Sequence, residues 1–192
     1  DGQGTRPYRE DDPVASLGVY GASKLAGEQA VRSAGGQYVI FRTAWVYAAH
    51  GHNFLRTMLR LGAERDELRV VADQIGTPTP AALIADVTAK VLSKALAGDA
   101  HMSGIWHLVA AGQTSWHGFA EAIFAEAVAA GLLPRAPRVL PIGTADYPTP
   151  AKRPAYSCLD TSRLRHDFGI HLPAWEQGLA GVIRELTVQK PG

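Results

Sequence analysis

Hydrophobic residues recur every three to four positions in five stretches of the chain, the spacing that places them on one face of an α-helix. The first stretch is rich in good helix formers and ends at Gly35-Gly36. Asn53 stands directly before the second stretch and has the side chain of a helix N-cap. The predicted helices cover residues 20–34, 54–65, 81–98, 116–131 and 173–186.

Between these helices lie short runs of β-branched and aromatic residues without clean alternation, at 37–48, 68–74 and 104–110. Such runs are typical of strands that are buried on both faces of a parallel sheet. Two prolines in IGTPTP, residues 75–80, predict irregular structure, and the proline-rich stretch 138–154 predicts irregular or edge structure. The order of elements predicts an α/β fold interleaved with a smaller α+β lobe.

Composition narrows the possible partners and location of the chain. Its 192 residues are 46% hydrophobic and 19% charged with a formal net charge of +1, which is an ordinary soluble profile. No basic cluster supports nucleic-acid binding, and no apolar run is long enough for a membrane span. The single cysteine, Cys158, permits no internal disulfide. We therefore predict a cytoplasmic protein that binds neither nucleic acid nor membrane.

Tyr20 and Lys24 stand four residues apart at the start of the first predicted helix, in GVYGASKLAGE. Residues at this spacing share a helix face. A phenol beside a cation loses its proton more readily, so the pair could act as a general acid at neutral pH. Taken alone, the spacing favours a half-exposed tyrosine beside a solvated lysine. Glu28, one turn further on, is expected to pair with Lys24.

The surroundings of this pair resemble the active-site helix of the extended short-chain dehydrogenase/reductases. VYGASKLAGE, FRTAWVYA, VVADQIGTPT, HLVAAGQTSWHGFA, YPTPAKRPAYSCLD and LPAWEQGL follow one another as they do in the dTDP-4-dehydrorhamnose reductase family. The resemblance covers nearly the whole chain. It implies reduction of the 4-keto group of dTDP-4-dehydro-L-rhamnose by NADPH or NADH, for cell-surface polysaccharide.

The resemblance also implies roles and boundaries within the chain. Tyr20 would protonate the C4 carbonyl oxygen, and Lys24 would contact the nicotinamide ribose. The fold would be the later part of a Rossmann-like doubly wound parallel sheet, with residues 1–50 and 82–110 in the dinucleotide-binding domain. Residues 51–81 and 111–192 would form the sugar-nucleotide-binding lobe.

No glycine-rich dinucleotide fingerprint follows a strand in this sequence. Because Asp1 begins a Gly/Pro/Asp-rich loop, we expect the chain to be the later two thirds of a longer reductase and to be inactive alone. The choice between NADPH and NADH, a possible Mg²⁺ requirement and a possible homodimer stay open.

Candidate substrate contacts lie at strand and helix ends, each with a structural alternative. Trp45 follows a buried strand and could pack against the sugar or fill the core. Asn53 could support diphosphate binding at a helix N-terminus or simply cap it. Gln74 and Thr77, with Thr79, could read a base or ribose, although loop polarity alone would also place them there. Arg153 could pair with phosphate or be solvated.

Three further features have structural interpretations. Arg42 is expected in a buried ion pair, and Cys158 as a small buried residue. His50 and His52 form an H-x-H pair without a third ligand nearby in sequence, so we predict no metal site.

Two other functions share the same sequence features. A nucleotide-sugar epimerase or dehydratase of the same superfamily would keep Tyr20 and Lys24 but retain the hydride on its cofactor. A non-catalytic regulatory subunit on this scaffold would bind nucleotide without turnover.

Overall fold

Six α-helices and eight short β-strands form the described part of the computed structural model, residues 2–96, 103–147, 149 and 153–188. The helices are α1 (Val19–Ser33), α2 (Phe54–Glu64), α3 (Ala81–Leu96), α4 (Trp116–Ala129), α5 (Ser162–Phe168) and α6 (Trp175–Val188). The strands are β1 (Val39–Arg42), β2 (Val46–Tyr47), β3 (Glu67–Val71), β4 (Ile75–Gly76), β5 (Thr79–Pro80), β6 (Gly104–His107), β7 (Thr114–Ser115) and β8 (Arg138–Ile142).

The five helices predicted from hydrophobic spacing are all present. Asn53 caps α2, since its side chain accepts a hydrogen bond from the backbone N–H of Arg56. The predicted end of α3 near Gly98 lies outside the described residues. Helix α5 was not predicted, because its seven residues are too few for an apolar periodicity to emerge. It ends at Gly169, whose φ of 67° is the left-handed conformation that glycine adopts without strain.

Parallel pairing dominates the strands. Strand β1 pairs with β6 in the register Val39 to Gly104, β2 pairs with β5, and β3 pairs with β8. Only β4 and β7 form an antiparallel pair among the described strands. The predicted strand 37–48 is divided into β1 and β2, because Trp45 between them has a positive φ of 49° that breaks an extended ladder.

The prediction of irregular structure for 75–80 was wrong. This segment contains β4 and β5, each of two residues, and Pro80 closes β5 where α3 begins. Proline lacks only the N–H donor, so a two-residue strand can end on it without losing a ladder bond. In the proline-rich stretch 138–154, β8 lies beside β3 as a strand, which agrees with the edge structure predicted there.

Two groups of buried side chains stabilise the fold. The larger, here called the lobe core, surrounds Phe119 and Phe124 of α4 and is covered by α2, α6 and β3. The smaller, here called the sheet core, joins Val87 and Val91 of α3 to Trp106 and Phe168. The division of the chain into two domains with the predicted boundaries stays a prediction.

Helix α1 differs from the other long helices, because none of its residues is buried. Its best-anchored side chain is Glu28, which accepts hydrogen bonds from Arg42 Nε and Nη2 at 2.8 and 2.7 Å. The ion pair predicted for Arg42 is thus confirmed, although it is partly exposed rather than buried. The pairing of Glu28 with Lys24 was wrong. The fork of a guanidinium matches two carboxylate oxygens, which a single ammonium cannot do. Glu28 also raises the pKa of Arg42.

Helices in the described part of the chain are all too short or too polar to cross a membrane.

Candidate active site

A cavity of about 870 Å³ opens between the lobe core and the strand ends. Strand β2 with the preceding Trp45, helices α2 and α4, and strand β3 form its walls. Ligand sites of this kind combine apolar walls with a few polar groups that fix orientation. The polar or charged lining residues are Thr57, Arg65, Glu67, Arg69, Gln74, Asp146, Tyr147, Thr149 and Arg153.

Aromatic rings stand in a row along one wall of the cavity. The rings of Trp45 and Trp116 are stacked, with centroids 3.6 Å apart and an interplanar angle of 9°. Phe54 lies against Trp116 at 4.7 Å, and Phe119 continues the row at 5.5 Å from Phe54. Flat apolar faces of this kind bind sugar rings and bases by contact area and stacking. Trp45 therefore lies in the wall of the cavity, and its contact with a sugar stays a prediction.

The backbone holds Trp45 in its unusual position. A positive φ in a bulky residue costs free energy, on the order of 1–3 kcal/mol, and persists only where the surroundings enforce it. The carbonyl of Trp45 accepts a hydrogen bond of 3.1 Å from the N–H of Thr79. A Cβ on Gly76 would lie 2.4 Å from the Trp45 indole, so only glycine leaves room for that ring.

Three arginines add positive charge to the cavity. Arg65, Arg69 and Arg153 line it, and none belongs to an ion pair among the described residues. Their guanidinium groups are thus available to a bound anion, and a planar fork suits phosphate oxygens. Arg153 was predicted as a phosphate contact, and the structure places it beside Trp45 and Gln74 in one cavity.

Gln74 lies at the polar end of the cavity and is 6% exposed. Its Nε2 is 3.0 Å from Thr144 Oγ1. Thr144 Oγ1 is 2.7 Å from Asp73 Oδ1, and the Thr144 backbone N–H donates to the same carboxylate. These bonds from Thr144 hold the pKa of Asp73 below its usual range. The ends of the parallel strands β3 and β8 bring the two loops together.

Two predicted contacts have their side chains committed to the protein. Asn53 accepts from Arg56 N–H and donates through Nδ2 to the carbonyls of Ala48 and His50. Thr77 is 2% exposed, and its hydroxyl donates to the carbonyl of Gly112 at 2.9 Å. Neither residue lines the cavity. The structure therefore supports capping for Asn53, and direct contacts with a ligand stay predictions for both.

Thr79 has a structural position as well. It is fully buried, donates to the Thr77 carbonyl and accepts from the Ala110 N–H. Loop polarity suggested a ligand contact here, but the sequence could not reveal that β5 would be covered by α6. A Cβ on Gly178 of α6 would come within 2.6 Å of Pro80, so the two elements pack tightly.

Tyr20 and Lys24 lie outside the cavity lining, on the open face of α1. Tyr20 is 77% exposed, and the Lys24 ammonium lies 5.4 Å from the centre of the Tyr20 ring. The predicted sharing of one helix face is confirmed by this contact. Ser23 donates its hydroxyl proton to the Tyr20 carbonyl, so it serves the helix backbone.

Cys158 agrees with its structural interpretation. Cys158 is buried as predicted, and burial raises the pKa of its thiol. Its Sγ lies 3.4 Å from Gln113 Oε1, which also accepts from the Tyr156 hydroxyl. Burial raises the pKa of Tyr156 to about 12. Across the described residues, no group of three or more His, Cys, Asp or Glu side chains could hold a metal ion.

Several cavity residues were missed by the sequence analysis. Trp116 and Phe54 were assigned only to helix faces, and Arg65 and Arg69 only to a helix end and a strand. Trp116 had a usable signal, since a large aromatic at the first position of a helix lies near the surface. The two arginines had none, because their convergence depends on how α2 packs beside β3.

Comparison with known proteins identifies the relatives of this chain. Residues 1–188 match the family model described as RmlD substrate binding domain. The chain is 51% identical over 194 residues to dTDP-4-dehydrorhamnose reductase of Burkholderia thailandensis, with 98% of the chain and 65% of that protein covered. The chain thus spans just under two thirds of the length of this relative.

Solved structures give the same picture. A dTDP-4-dehydrorhamnose reductase from Clostridium acetobutylicum superposes with a TM-score of 0.87 at 37% identity, covering 97% of this chain and 62% of that one. The enzyme from Bacillus anthracis in complex with NADP gives 0.84 at 38% identity, covering 96% and 61%. These likenesses confirm the family resemblance and the Rossmann-like α/β fold predicted from the sequence.

Proposed function

The chain belongs to the RmlD substrate binding domain family, and we propose that it acts in NAD(P)H-dependent reduction of dTDP-4-dehydro-L-rhamnose to dTDP-L-rhamnose. The observation that carries this proposal is the cavity, which joins stacked Trp45 and Trp116 to three arginines that have no ion-pair partner among the described residues. The rings of a dTDP-sugar would pack against the tryptophans, and its diphosphate would pair with the arginines. The reaction would take place in the cytoplasm and supply cell-surface polysaccharide.

Each polar group of the cavity then has a part in binding. Arg153, helped by Arg65 and Arg69, would neutralise the diphosphate. Trp45 would lie against the sugar, and Gln74 would meet the base. Asn53 would fix the start of α2, and Thr77 would hold the loop after β4 in shape through its bond to Gly112. Residues 51–81 and 111–192 would form this sugar-nucleotide lobe.

The residues on α1 fit one end of a nicotinamide cofactor. The Tyr20 hydroxyl and Lys24 ammonium are exposed on one helix face, a donor set suited to a carbonyl oxygen and a ribose. No glycine-rich turn for a pyrophosphate occurs in the sequence. When bound, NADPH or NADH supplies the hydride. Tyr20 would give its proton to the C4 oxygen of the sugar, and Lys24 would orient the ribose and favour the ionised phenol that results.

A chimera tests the proposal directly. This chain would replace the matched residues of the Burkholderia thailandensis reductase, and oxidation of NADPH and NADH would be followed with dTDP-4-dehydro-L-rhamnose. We expect turnover, and about a 100-fold or greater loss of kcat in Tyr20→Phe, the size typical of a lost general acid. Tyr38→Phe, which removes a phenol hydroxyl from a residue outside the cavity, is the matched control and should keep its rate.

The outcomes separate the alternatives. Product formation without net cofactor consumption would mean an epimerase or dehydratase. Tight dTDP binding without any turnover would favour a regulatory subunit. Equal rates in Tyr20→Phe and wild type would remove Tyr20 from the proton-transfer step.

A further inference from the structure

Two residues, Thr144 and Asp73, determine which end of the Gln74 amide donates a hydrogen bond and which end accepts one. Asp73 is ionised at neutral pH, as an aspartate ordinarily is, and hydrogen bonds from Thr144 lower its pKa further. A carboxylate accepts hydrogen bonds and donates none. The hydroxyl proton of Thr144 therefore points to Asp73 Oδ1, 2.7 Å away. What remains on Thr144 Oγ1 toward Gln74 is a lone pair.

A lone pair on Thr144 Oγ1 determines which way the Gln74 amide faces. Only the NH₂ group of the amide can donate to it, and Nε2 is found 3.0 Å from that oxygen. The amide oxygen Oε1 consequently points away from Thr144. No described residue donates to Oε1, and Gln74 lines the cavity. With Nε2 held by Thr144, Oε1 is the atom of the amide that is left to accept from a ligand.

We propose that Asp73 and Thr144 act as positioning residues that hold Gln74 Oε1 as an acceptor for the imide N–H of the pyrimidine base. This inference rests on the proposed function, since it assumes a dTDP-sugar in the cavity. An acceptor would repel the diphosphate oxygens. Sugar hydroxyls rotate and can donate or accept, so they gain little from fixed polarity. The imide N–H is the one obligate donor that a dTDP-sugar offers.

Fixed polarity would make the site selective among bases. Thymine and uracil donate at N3, whereas the N3 of cytosine is an acceptor that would face Oε1 with like polarity. A buried polar group left without its partner costs about 1–3 kcal/mol, which corresponds to roughly 5 to 150 times in affinity. Because Gln74 is 6% exposed, water can compensate this loss only in part.

The test is the ratio of dissociation constants for dTDP, N3-methyl-dTDP and dCDP, measured by calorimetry. Wild type should bind dTDP at least about five times more tightly than the other two. In Thr144→Val the amide can turn over, so the ratio should fall to within about threefold, and Thr144→Ser should restore it. Asp73→Asn should lower the ratio further, because an amide at 73 can donate to Thr144 and reverse the chain of hydrogen bonds.

Controls separate positioning from folding. Thr88→Val also removes a hydroxyl, one that donates to the Ile84 carbonyl in α3 away from the cavity, and should keep the ratio. If Thr144→Val weakens all three ligands equally, Thr144 is structural and the proposal is wrong. A wild-type ratio near one would also overturn it.

Failure of dTDP to bind a folded chain, as judged by near-ultraviolet circular dichroism, would contradict the proposed function instead. A chain that is not folded alone would be measured within the chimera, where the same ratios decide.

Discussion

The lobe core and helix α1 show how differently one chain can stabilise two regions. Phe119, at the centre of the lobe core, is completely buried and contacts aromatic rings from three other elements. Helix α1 has an apolar stripe of similar regularity, yet none of its residues is buried. An amphipathic pattern therefore predicts a helix but does not ensure that something covers it.

The two regions also divide the proposed chemistry. The binding cavity is built on the lobe core, whereas the proposed proton donor Tyr20 stands on α1. Helices derive most of their stability from packing of their apolar face rather than from propensity. We therefore expect the cavity to be rigid and α1 to open with a much lower free energy. The predictions below test this contrast.

Truncation of the two regions should have the largest and most unequal effects. Phe119→Ala leaves a cavity in a closely packed core and should lower the free energy of unfolding by about 3–5 kcal/mol. Leu25→Ala removes a half-buried side chain from α1 and should cost less than about 1 kcal/mol. Urea unfolding followed by tryptophan fluorescence measures both. Equal costs would show that α1 is packed as firmly as the lobe.

Breaking the Glu28–Arg42 ion pair should loosen α1 alone. The pair is bidentate but partly exposed, with 21% and 17% of the Arg42 and Glu28 side chains accessible. Arg42→Met should therefore cost about 1–2 kcal/mol, less than a fully buried pair. Amide hydrogen exchange should accelerate in α1 and stay unchanged in α4.

Arg60→Met is the matched control. It removes an arginine from an exposed pair with Glu64 within α2 and should cost at most about 0.5 kcal/mol. Slower exchange in α1 of Arg42→Met, or faster exchange in both helices, would contradict a local role for the pair.

Acidification should weaken the β1–β6 side of the fold through His107. Burial lowers the pKa of His107 below 6.5, Arg42 acts in the same direction, and Glu10 opposes both. The unfolded chain takes up a proton near pH 6.5 and the folded chain only at lower pH. Stability should thus fall as the pH drops from 7 to 5, by at most about 1.4 kcal/mol per pH unit.

Urea unfolding at pH 7 and pH 5 measures this effect, with His107→Gln as the comparison. The variant lacks the titrating ring, so its stability should change less over the same range. An equal pH dependence in both proteins would assign the effect to other groups.

Local sequence determined the elements and part of the site. Hydrophobic spacing predicted the five longer helices but not α5, Asn53 predicted the start of α2, and the Tyr20–Lys24 spacing predicted their shared face. These features depend on residues three or four positions apart, where backbone geometry fixes the neighbours. The prediction that Arg42 is paired succeeded because a charge inside a partly buried strand is stabilised by a partner.

Tertiary structure determined which residues pair with one another and which of them line the cavity. Glu28 was assigned to Lys24 by proximity along the helix, but β1 brings Arg42 closer with a better geometry. Trp116 meets Trp45 across 71 positions of sequence, and Thr144 meets Gln74 across 70. Such contacts arise from strand pairing and helix packing between distant segments, which local propensity does not encode. The sequence by itself therefore specified the elements and the chemistry available, and packing alone determined where that chemistry converges.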